Sequence, residues 1–428
     1  MIRIFVEITI HILFFISLPY VILKKRTHLF QLIGRLGFDY LKARESINNS
    51  EFSYRKTLVI NACSVGENNA IFSLVEKLKK ENTTLRIIHT VTTDTGYKLA
   101  KKKSKADLVT WYPLENFFSN RLFLNIFKPD LFIAVETEIW PEMFYCLNDR
   151  KIPIVIINGR ISDRSFKRYK QFKIFTQNIL SKITLFLMQS EIDSKRIIEL
   201  GADKSKVINF GNLKYDILEE IVNKKSGKTF GFKKDDLIFT FGSIHPNEEY
   251  LVIGMINSIK TVLPNSKFII APRKFDKIDL LLGCLKKEKL SFERLSELNN
   301  KNKTKNDDSI LILDTFGDLI DAYRISYGAL IGGSFINSGG HNPLEVVAAG
   351  KMVFFGPYMN NFREIENFVL EIDGAIKFKD EEDAIKSIKD YVKNIEPLIK
   401  RGKLAQKKLM KKMGITDRMV HFLLQVLK

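Results

Sequence analysis

Residues 57–80, TLVINACSVGENNAIFSLVEKLKK, decide the fold class of this chain. The stretch opens with a mostly apolar, β-rich run (57–63), which is typical of a strand buried on both faces of a parallel sheet. It continues into a segment (68–80) whose apolar residues share one helical face: Ala70, Ile71, Leu74, Val75 and Leu78. A buried strand followed directly by an amphipathic helix is the repeating half of a βαβ unit. The stretch therefore predicts an α/β fold.

The same alternation recurs in two series along the chain. The predicted strands are Thr57–Cys63, Leu85–Thr92, Asp130–Val135, Ile152–Ile157 and Ile183–Met188 in the first series, and Leu237–Phe241, Lys267–Ala271, Ser309–Leu313, Ala329–Gly332 and Met352–Phe355 in the second. A polar stretch rich in Lys and Gly, 223–236, separates them and predicts a linker. We therefore predict two Rossmann-like, doubly wound domains, 27–222 and 237–428, that face each other across a cleft. The last helix could cross back to the first domain.

The N-terminus carries a long apolar stretch, residues 4–23, followed by Lys24-Lys25-Arg26. At about 1.5 Å of rise per residue, a helix of this length just covers a hydrocarbon core of about 30 Å. The basic cluster that follows favours the cytoplasmic side for the rest of the chain. Residues 1–26 are therefore predicted to anchor the protein in a membrane. Glu7 and His11 leave a helix lying in the membrane interface as the alternative.

Composition limits the kind of partner. The 428 residues include 68 Lys and Arg against 49 Asp and Glu, a formal net charge of +19. This surplus predicts a polyanionic partner, which could be a nucleic acid, an anionic membrane or a phosphorylated substrate. Cys63, Cys146 and Cys284 lie far apart and form no metal-ligand spacing with histidine, so we expect reduced thiols and no structural zinc site.

A glycine-rich segment follows one strand of the second series: Gly332-Gly333-Ser334, then Ser338 to Glu345 (SGGHNPLE). We predict Asn342 as an N-cap and Pro343 as the first helical residue, with free backbone N–H groups for a phosphate. Glu345 either closes a capping box or accepts hydrogen bonds from ribose hydroxyls. Ala271-Pro272-Arg273 and 314–318 (DTFGD) lie at two other strand ends, where open α/β sheets bind ligands.

Ser64-Val65-Gly66-Glu67 has two interpretations. Ser-x-x-Glu is the capping-box signature, which would make Glu67 a structural residue at a helix start. The alternative is a general base, which needs burial or a nearby acid to raise the pKa of a carboxyl at this position.

Two further motifs carry charged candidates. Glu136 and Glu138 lie one residue apart after a strand, and alternation in an extended segment would direct both carboxylates to the same side, where they could chelate a divalent ion. A solvated acidic loop is the plainer alternative. Lys214, within Gly211 to Asp216 (GNLKYD), could meet an anion or simply be solvated.

Taken together, the motifs resemble the 3-deoxy-D-manno-octulosonic acid (Kdo) transferases of lipopolysaccharide synthesis, which are membrane-associated, inverting glycosyltransferases of the GT-B fold. The resemblance covers nearly the whole chain, in order. It rests on the N-terminal anchor and on 34–37 (GRLG), 64–67 (SVGE), 136–141 (ETEIWP), 158–162 (NGRIS), 211–216 (GNLKYD), 242–245 (GSIH) with Glu248-Glu249, Pro272-Arg273 and 339–345 (GGHNPLE).

The resemblance implies roles for individual residues. Glu67 would be the general base, with Glu136 and Lys214 as transition-state stabilisers. The CMP part of the donor, CMP-Kdo, would be bound by Pro272, Arg273, Phe316, Gly317, Asp318, Asn342, Pro343, Leu344 and Glu345. No metal and no other cofactor is expected. The acceptor would be the 6′-hydroxyl of an anionic lipid A precursor, at the cytoplasmic side of the inner membrane.

The chain departs from the family pattern at three places. The family usually has His where Asn61 stands, Met-Gly-Glu at 316–318, and Pro-Arg-His-Pro-Glu-Arg at 272–277. These changes leave the base in place and put details of CMP binding in question.

Two other functions remain as alternatives. One is a GT-B transferase that uses another nucleotide sugar, such as a UDP-sugar, on a membrane lipid. The other is a non-enzymatic basic protein of membrane surfaces or nucleic acids, although no nucleic-acid-binding motif is present. Of the basic clusters, Lys24 to Arg26 and Arg160 to Lys173 are predicted on the membrane side, and Lys400 to Lys412 is expected to be a solvated helix face.

Overall fold

The computed structural model describes residues 26–48, 54–223, 228–301, 306 and 310–427. The predicted anchor segment, 4–23, lies outside the described residues. Within those ranges, no helix has the length and apolar character needed to cross a bilayer. The chain forms two compact units, one ending at Ile217 and completed by Gly414 onward, the other spanning Leu218–Met413. The division thus falls at 217/218, where 222/223 was expected.

The first unit is built on a seven-stranded parallel sheet with the order β3-β2-β1-β4-β5-β6-β7. Its strands are β1 (Lys56–Asn61), β2 (Leu85–Val91), β3 (Leu108–Trp111), β4 (Leu131–Val135), β5 (Ile154–Gly159), β6 (Leu185–Met188) and β7 (Val207–Asn209). The helices are α1 (Arg26–Leu36), α2 (Phe38–Asn48), α3 (Val65–Glu81), α4 (Asp94–Lys103), α5 (Phe117–Phe127), α6 (Pro141–Asp149), α7 (Asp163–Gln171), α8 (Lys173–Leu180) and α9 (Glu191–Glu199).

Both faces of this sheet are buried, as the apolar strands predict. Along β1, Leu58 and Ile60 pack on one face with residues of α3, and Val59 packs on the other with residues of α6. The five apolar residues predicted to share one face of the helix after β1, which is α3, are all buried. This alternation places a hydrophobic core on each face of the sheet.

The second unit has the same architecture, with the strand order β10-β11-β9-β8-β12-β13-β14, all parallel. Its strands are β8 (Ile238–Ile244), β9 (Lys267–Pro272), β10 (Phe292–Arg294), β11 (Ile310–Ile312), β12 (Gly328–Ile331), β13 (Met352–Phe355) and β14 (Ala375–Lys377). Its helices are α10 (Glu219–Asn223), α11 (Glu249–Val262), α12 (Ile278–Lys287), α13 (Leu295–Lys301), α14 (Leu319–Ile325), α15 (Leu344–Ala348), α16 (Arg363–Glu371), α17 (Glu381–Val392) and α18 (Ile395–Met410).

The last helix, α19 (Ile415–Val426), belongs to the first unit. Its apolar residues Met419 and Leu423 join the core that covers α3. The N–H of Thr416 donates to the Asp216 carboxylate, which fixes the start of α19 against the end of the first unit.

All ten predicted strands are present, and the four strands that the sequence did not reveal are the sheet edges: β3, β7, β10 and β14. Each has only three or four residues. An edge strand pairs on one side only and needs no long apolar run, so its sequence signal is weak.

The strand order reverses once in each sheet, between β1 and β4 in the first and between β8 and β12 in the second. The carboxyl ends of strands flanking such a reversal diverge into helices on opposite faces and leave a crevice, which is where open α/β sheets bind ligands. These two positions therefore define where candidate site residues should be sought.

Candidate functional site

Glu67 lies beside the reversal point of the first sheet, at the start of the helix that follows β1. Ser64 caps α3, its Oγ accepting from the Glu67 N–H at 3.4 Å. In return, Glu67 Oε1 accepts from the Ser64 hydroxyl at 2.6 Å, and Oε2 accepts from the Cys63 N–H at 2.7 Å. The reciprocal capping interaction is therefore present, and it holds a Glu67 side chain that is only 5% exposed.

The environment of Glu67 also suits a base. Burial raises the pKa of its carboxyl to about 7, although the hydrogen bonds from Ser64 and Cys63 act in the opposite direction. The negative charges of Glu138 and Glu136 contribute to this rise of the pKa. A carboxyl with this pKa exists in both protonation states near neutral pH, which suits proton transfer. The structural and the chemical interpretations of Glu67 are therefore compatible.

Glu136 and Lys214 form an ion pair, with 3.0 Å between Lys214 Nζ and Glu136 Oε1. Glu136 has φ +58°, and residues 136 and 137 form a turn. The expected extended alternation of Glu136 and Glu138 is therefore wrong. The Glu136 N–H still donates to Ile157 O at 2.9 Å, so the left-handed turn begins where the chain leaves β4.

The loop that carries Lys214 is held by two asparagines. Asn158 Oδ1 accepts from the Leu213 N–H at 3.0 Å, and Asn212 Oδ1 accepts from the Lys214 N–H at 2.9 Å. Asn158 is fully buried and has φ +52°. Its position as a polar residue near the end of an apolar strand is the sequence signal for this positioning role, which sequence reasoning missed.

Glu138 lies close to Glu67 and Cys63. Donor atoms of Cys63, Glu67 and Glu138 are all within 4.8 Å of one another, a spacing that a cation could bridge. The pKa of the Cys63 thiol is raised, first by burial and then by the Glu138 charge, and the thiol is hydrogen-bonded to Glu138. Metal ions bind the thiolate, and Mg²⁺ and Ca²⁺ prefer oxygen donors. The thiol in this donor set therefore suits Mg²⁺ and Ca²⁺ poorly.

In the second unit, a buried carboxylate joins the loops at the reversal point. Glu248 Oε2 accepts from the N–H groups of Gly333 at 2.7 Å and His245 at 2.9 Å, and Oε1 accepts from the Phe335 N–H at 3.2 Å. Position 332 must be a glycine, because a Cβ there would lie 2.2 Å from Ser243 O. The loop after β12 is thereby fixed against the loop after β8.

Two histidines, one from the loop after β8 and one from the loop after β12, contact each other. His245 Nε2 and His341 Nε2 are 2.8 Å apart, and we call these residues the histidine pair. The pKa of His341 is lowered to about 4, first by burial and then by the charges of His245 and Arg273. Burial also lowers the pKa of His245, with Arg273 and Lys274 contributing. The motifs contain both histidines, but nothing in the sequence brings them together.

Arg273 extends from the end of β9, the neighbour of β8. Its N–H donates to Ile244 O at 2.8 Å, which ties the ends of the two strands together, while its side chain is exposed. A small pocket opens beside His245. Basic and apolar side chains and one acidic residue, Glu249, line it: Ile244, His245, Pro246, Glu249, Pro272, Lys274, Lys277, Ile278 and Leu281.

The segment Asn342 to Glu345 differs from its predicted geometry. Helix α15 begins at Leu344, and the capping position is Pro343, not Asn342. The Asn342 side chain instead bridges the turn, with Oδ1 accepting from the Leu344 N–H at 3.2 Å. Burial raises the pKa of Glu345, while a hydrogen bond from Asn342 opposes that effect. The Glu345 carboxyl is thus hydrogen-bonded to the Asn342 side chain. Helix α15 itself has only five residues.

Phe316 and Asp318 have contrasting environments. The Phe316 ring is 90% exposed and contacts Phe275, with ring centroids 4.8 Å apart. Gly317, which lies between Phe316 and Asp318 in the sequence, has φ +92°. Asp318 is buried and accepts from Lys228 and from the Thr315 hydroxyl. The loop after β11 therefore has a satisfied acidic residue and an unusually exposed aromatic ring.

Sequence comparison identifies relatives over most of the chain. The family model for 3-deoxy-D-manno-octulosonic-acid transferases (kdotransferases) matches residues 34–217. The 3-deoxy-D-manno-octulosonic acid transferase of Haemophilus influenzae is 33% identical over 372 residues, covering 86% of each chain. That of Rickettsia felis is 32% identical, covering 78% of this chain and 71% of the relative. A bifunctional glycosyltransferase/methyltransferase of Fusobacterium nucleatum is 35% identical over 84% of this chain, which spans 55% of that relative's length.

Solved structures support the fold. MurG of Acinetobacter baumannii superposes with a TM-score of 0.53 at 10% identity, covering 86% of this chain and 99% of MurG. The UDP-GlcNAc 2-epimerase of Neisseria meningitidis gives a TM-score of 0.53 at 14% identity, covering 83% and 99%. At such low identity the likeness concerns the fold alone, which is of the GT-B type.

Proposed function

Because the chain belongs to the 3-deoxy-D-manno-octulosonic acid (Kdo) transferase family, we propose that it transfers Kdo from CMP-Kdo to the 6′-hydroxyl of a lipid A precursor. The observation that carries this proposal is Glu67, a buried carboxyl with a pKa raised to about 7 at the reversal point of the first sheet. An acceptor hydroxyl needs a base of this kind to become a nucleophile near neutral pH.

The transfer is a single displacement. Glu67 takes the proton of the acceptor hydroxyl while that oxygen attacks the anomeric carbon of Kdo, and the bond from that carbon to the phosphate oxygen breaks. The electron pair leaves with the phosphate, so CMP departs and the anomeric centre inverts. Capping holds the Glu67 carboxylate in one orientation through Ser64 and Cys63, which keeps the base aligned before the acceptor arrives.

Lys214 supplies positive charge to this reaction, and Glu136 fixes its ammonium group at 3.0 Å. In a partly buried setting, a fixed cation stabilises the negative charge that develops on the leaving phosphate more effectively than one in bulk water. The asparagine contacts of the Lys214 loop support this positioning role. No step of the mechanism uses a metal ion.

The donor nucleotide binds the second unit, along the carboxyl ends of β9, β11 and β12. Arg273 provides an exposed guanidinium for an anionic group, and Glu345 accepts hydrogen bonds from ribose hydroxyls. The exposed Phe316 ring offers a face on which a cytosine base stacks, in place of the methionine usual in the family. Pro272, Gly317, Asp318, Asn342, Pro343 and Leu344 shape the loops that hold these groups.

We also propose membrane association, which the surface of the first unit and the predicted anchor support. Helix α7 has no buried residue and is rich in Arg and Lys. It runs into Phe172 and Ile174, which are 64% and 77% exposed. Exposed apolar side chains next to basic ones suit the interface of an anionic bilayer. With the predicted anchor, this surface supports our proposal that the enzyme acts at the cytoplasmic face of the inner membrane.

Mass spectrometry of the lipid product tests the function. The full chain is incubated with CMP-Kdo and a tetra-acylated, bis-phosphorylated lipid A precursor, and the mass increase gives the number of Kdo units added. CMP should inhibit and UDP should not. An unchanged acceptor mass with correctly folded enzyme, or inhibition by UDP alone, would count against the proposal.

A further inference from the structure

The histidine pair is defined by one short contact that fixes where a proton lies. Two ring nitrogens 2.8 Å apart cannot both carry hydrogen and cannot both lack it, because one must donate and the other accept. One Nε2 is therefore protonated and the other is not. Within the described part of the chain, the two Nε2 atoms are the only ring nitrogens of this pair in a hydrogen bond, which leaves both Nδ1 atoms to an outside ligand.

Counting protons shows what the pair can do. In the neutral pair, the accepting ring carries its hydrogen on Nδ1, whereas the donating ring has a bare Nδ1. One added proton at that bare nitrogen gives the pair a positive charge and two Nδ1–H donors. A second proton would place hydrogens on both facing Nε2 atoms and break their bond. The pair can therefore gain one proton while it stays intact.

Without a bound anion, the surroundings disfavour the protonated form of the histidine pair. Burial lowers the pKa of both histidines, and the positive charges of Arg273 and Lys274, in the loop after β9, act in the same direction. The acidic Glu248, at the start of α11, directs its carboxylate to three backbone N–H groups, and Glu249 lies in the pocket beside His245. Gly333, in the loop after β12, has no side chain and therefore leaves space for both imidazole rings.

We propose that the histidine pair, together with Arg273, binds the phosphate group of the donor nucleotide and takes up one proton as it does so. This inference rests on the proposed function and adds a role for two residues that act on the leaving group. A phosphate brings negative charge to a site that holds a guanidinium and two imidazoles, which favours the protonated pair.

The added proton serves the transfer step. As the bond between the anomeric carbon and the phosphate oxygen breaks, the electron pair passes to that oxygen and the phosphate gains negative charge. The charged pair and its Nδ1–H donors stabilise this charge. The proton stays on the histidines and is released when CMP leaves, while the proton of the acceptor hydroxyl goes to Glu67.

Titration calorimetry measures the proton directly. CMP is titrated into the full chain near pH 7.5 in two buffers of different ionisation enthalpy. The variants are the double variant His245→Gln/His341→Gln and, as a matched control, His421→Gln, which alters an exposed histidine of α19 in the first unit. We expect wild type and the control to take up about one proton more per CMP than the double variant. The double variant should bind CMP about 10- to 100-fold more weakly, since a charge-assisted hydrogen bond is lost.

Wild type alone gives a second measurement, which does not depend on whether the double variant folds. CMP affinity should rise toward tenfold for each unit by which pH falls from about 8 toward 7, as uptake of one proton requires. CMP binding without proton uptake, or no binding of either CMP or inorganic phosphate, would overturn the inference. If phosphate and CMP bind with the proton but CMP-Kdo is not used as a donor, the inference stands and the proposed function fails.

Discussion

Glu67 shows how two physical effects compete at a single residue. The start of a helix stabilises a carboxylate by about 0.3–1 kcal/mol, and two hydrogen bonds act in the same direction. Burial acts against them and prevails, because the pKa is raised from 4.5 to about 7, which corresponds to roughly 3 kcal/mol. A side chain that caps a helix therefore also has the protonation behaviour of a base.

Replacing Glu67 tests this role. Glu67→Gln retains an acceptor for one of the two capping hydrogen bonds but cannot accept a proton, so turnover should fall by about 100- to 10,000-fold with CMP affinity unchanged. In wild type, kcat/KM should rise with pH up to about 7 and then level off, because the carboxyl must be ionised to act. Steady-state kinetics over a pH series gives both results.

The matched control is Glu76→Gln, which removes an exposed carboxylate from the same helix, where it pairs with Lys80. Its turnover should equal that of wild type. Near-normal turnover by a folded Glu67→Gln variant would remove Glu67 from the mechanism.

His89 makes the first unit sensitive to acid. The ring is fully buried on β2, its Nδ1 contacts the Ser104 hydroxyl at 3.1 Å, and burial lowers its pKa to about 4. The unfolded chain binds the proton at a higher pH than the folded chain, so the folded state loses stability as pH falls. The contribution of His89 is complete above about 6.5 and disappears at about 4.

A comparison of His89→Gln with wild type isolates this effect. Between about pH 6.5 and 4.5, the melting temperature of wild type should fall more steeply than that of the variant, and the full linkage corresponds to about 3 kcal/mol. The variant should be less stable at pH 7 and should lose less stability on acidification. Parallel melting curves for the two proteins would show that His89 does not titrate in this range.

At the scale of elements, Glu248 connects a helix start to two loops. Its three backbone N–H partners come from the loops after β8 and β12. These N–H groups lie beyond the strand ends, where no neighbouring strand can accept from them, and the carboxylate is their acceptor instead. The order of these loops, and hence the position of the histidine pair, depends on it.

Glu248→Gln should lower the free energy of unfolding of the second unit by about 2–4 kcal/mol, because an amide cannot accept on both sides and leaves buried donors unpaired. Urea unfolding followed by circular dichroism measures the change. Glu288→Gln, at an exposed site of the same unit, is the control and should be neutral. Equal stabilities would mean that water replaces the carboxylate.

The loops after β9 and β11 present the Phe275 and Phe316 rings together. If the nucleobase stacks on Phe316, Phe316→Ala should weaken CMP binding by about 5- to 100-fold, since stacking contributes about 1–3 kcal/mol. The stability of the chain should not change, because the ring is exposed. Phe118→Ala, an exposed phenylalanine of the first unit, should leave the CMP affinity measured by calorimetry unchanged. A Phe316→Ala variant with wild-type affinity would exclude the stacking contact.

At the scale of the whole molecule, the net charge of +19 predicts attraction to an anionic surface. Phe172→Ser/Ile174→Ser should reduce co-sedimentation of the full chain with vesicles that contain anionic phospholipid, and added salt should weaken wild-type binding, at roughly 1 kcal/mol for each basic residue near the surface. Ile192→Ser, at another exposed isoleucine, should bind as wild type does. Salt-independent binding, or no effect of the double substitution, would place the contact elsewhere on the chain.

The core strands were predictable because their signal is local. A strand buried on both faces must be mostly apolar, as β1 and β8 are, and β4 is apolar throughout. The edge strands have no such requirement, and β10 is only partly buried along its length. The same contrast applies to the site: Glu67 and its cap lie within four residues, whereas His245 and His341 are separated by 96.

By itself, the sequence determined the α/β class, the two series of strands, the capping of Glu67 by Ser64 and the family to which the chain belongs. Each of these depends on residues close in sequence or on motifs in a fixed order. Only the tertiary structure decided that Glu136 leaves its strand in a left-handed turn toward Lys214, that Glu138 approaches Cys63, and that two histidines share a proton. These relations arise where the strand order of a sheet reverses and brings distant loops together, and local sequence patterns do not encode such distances.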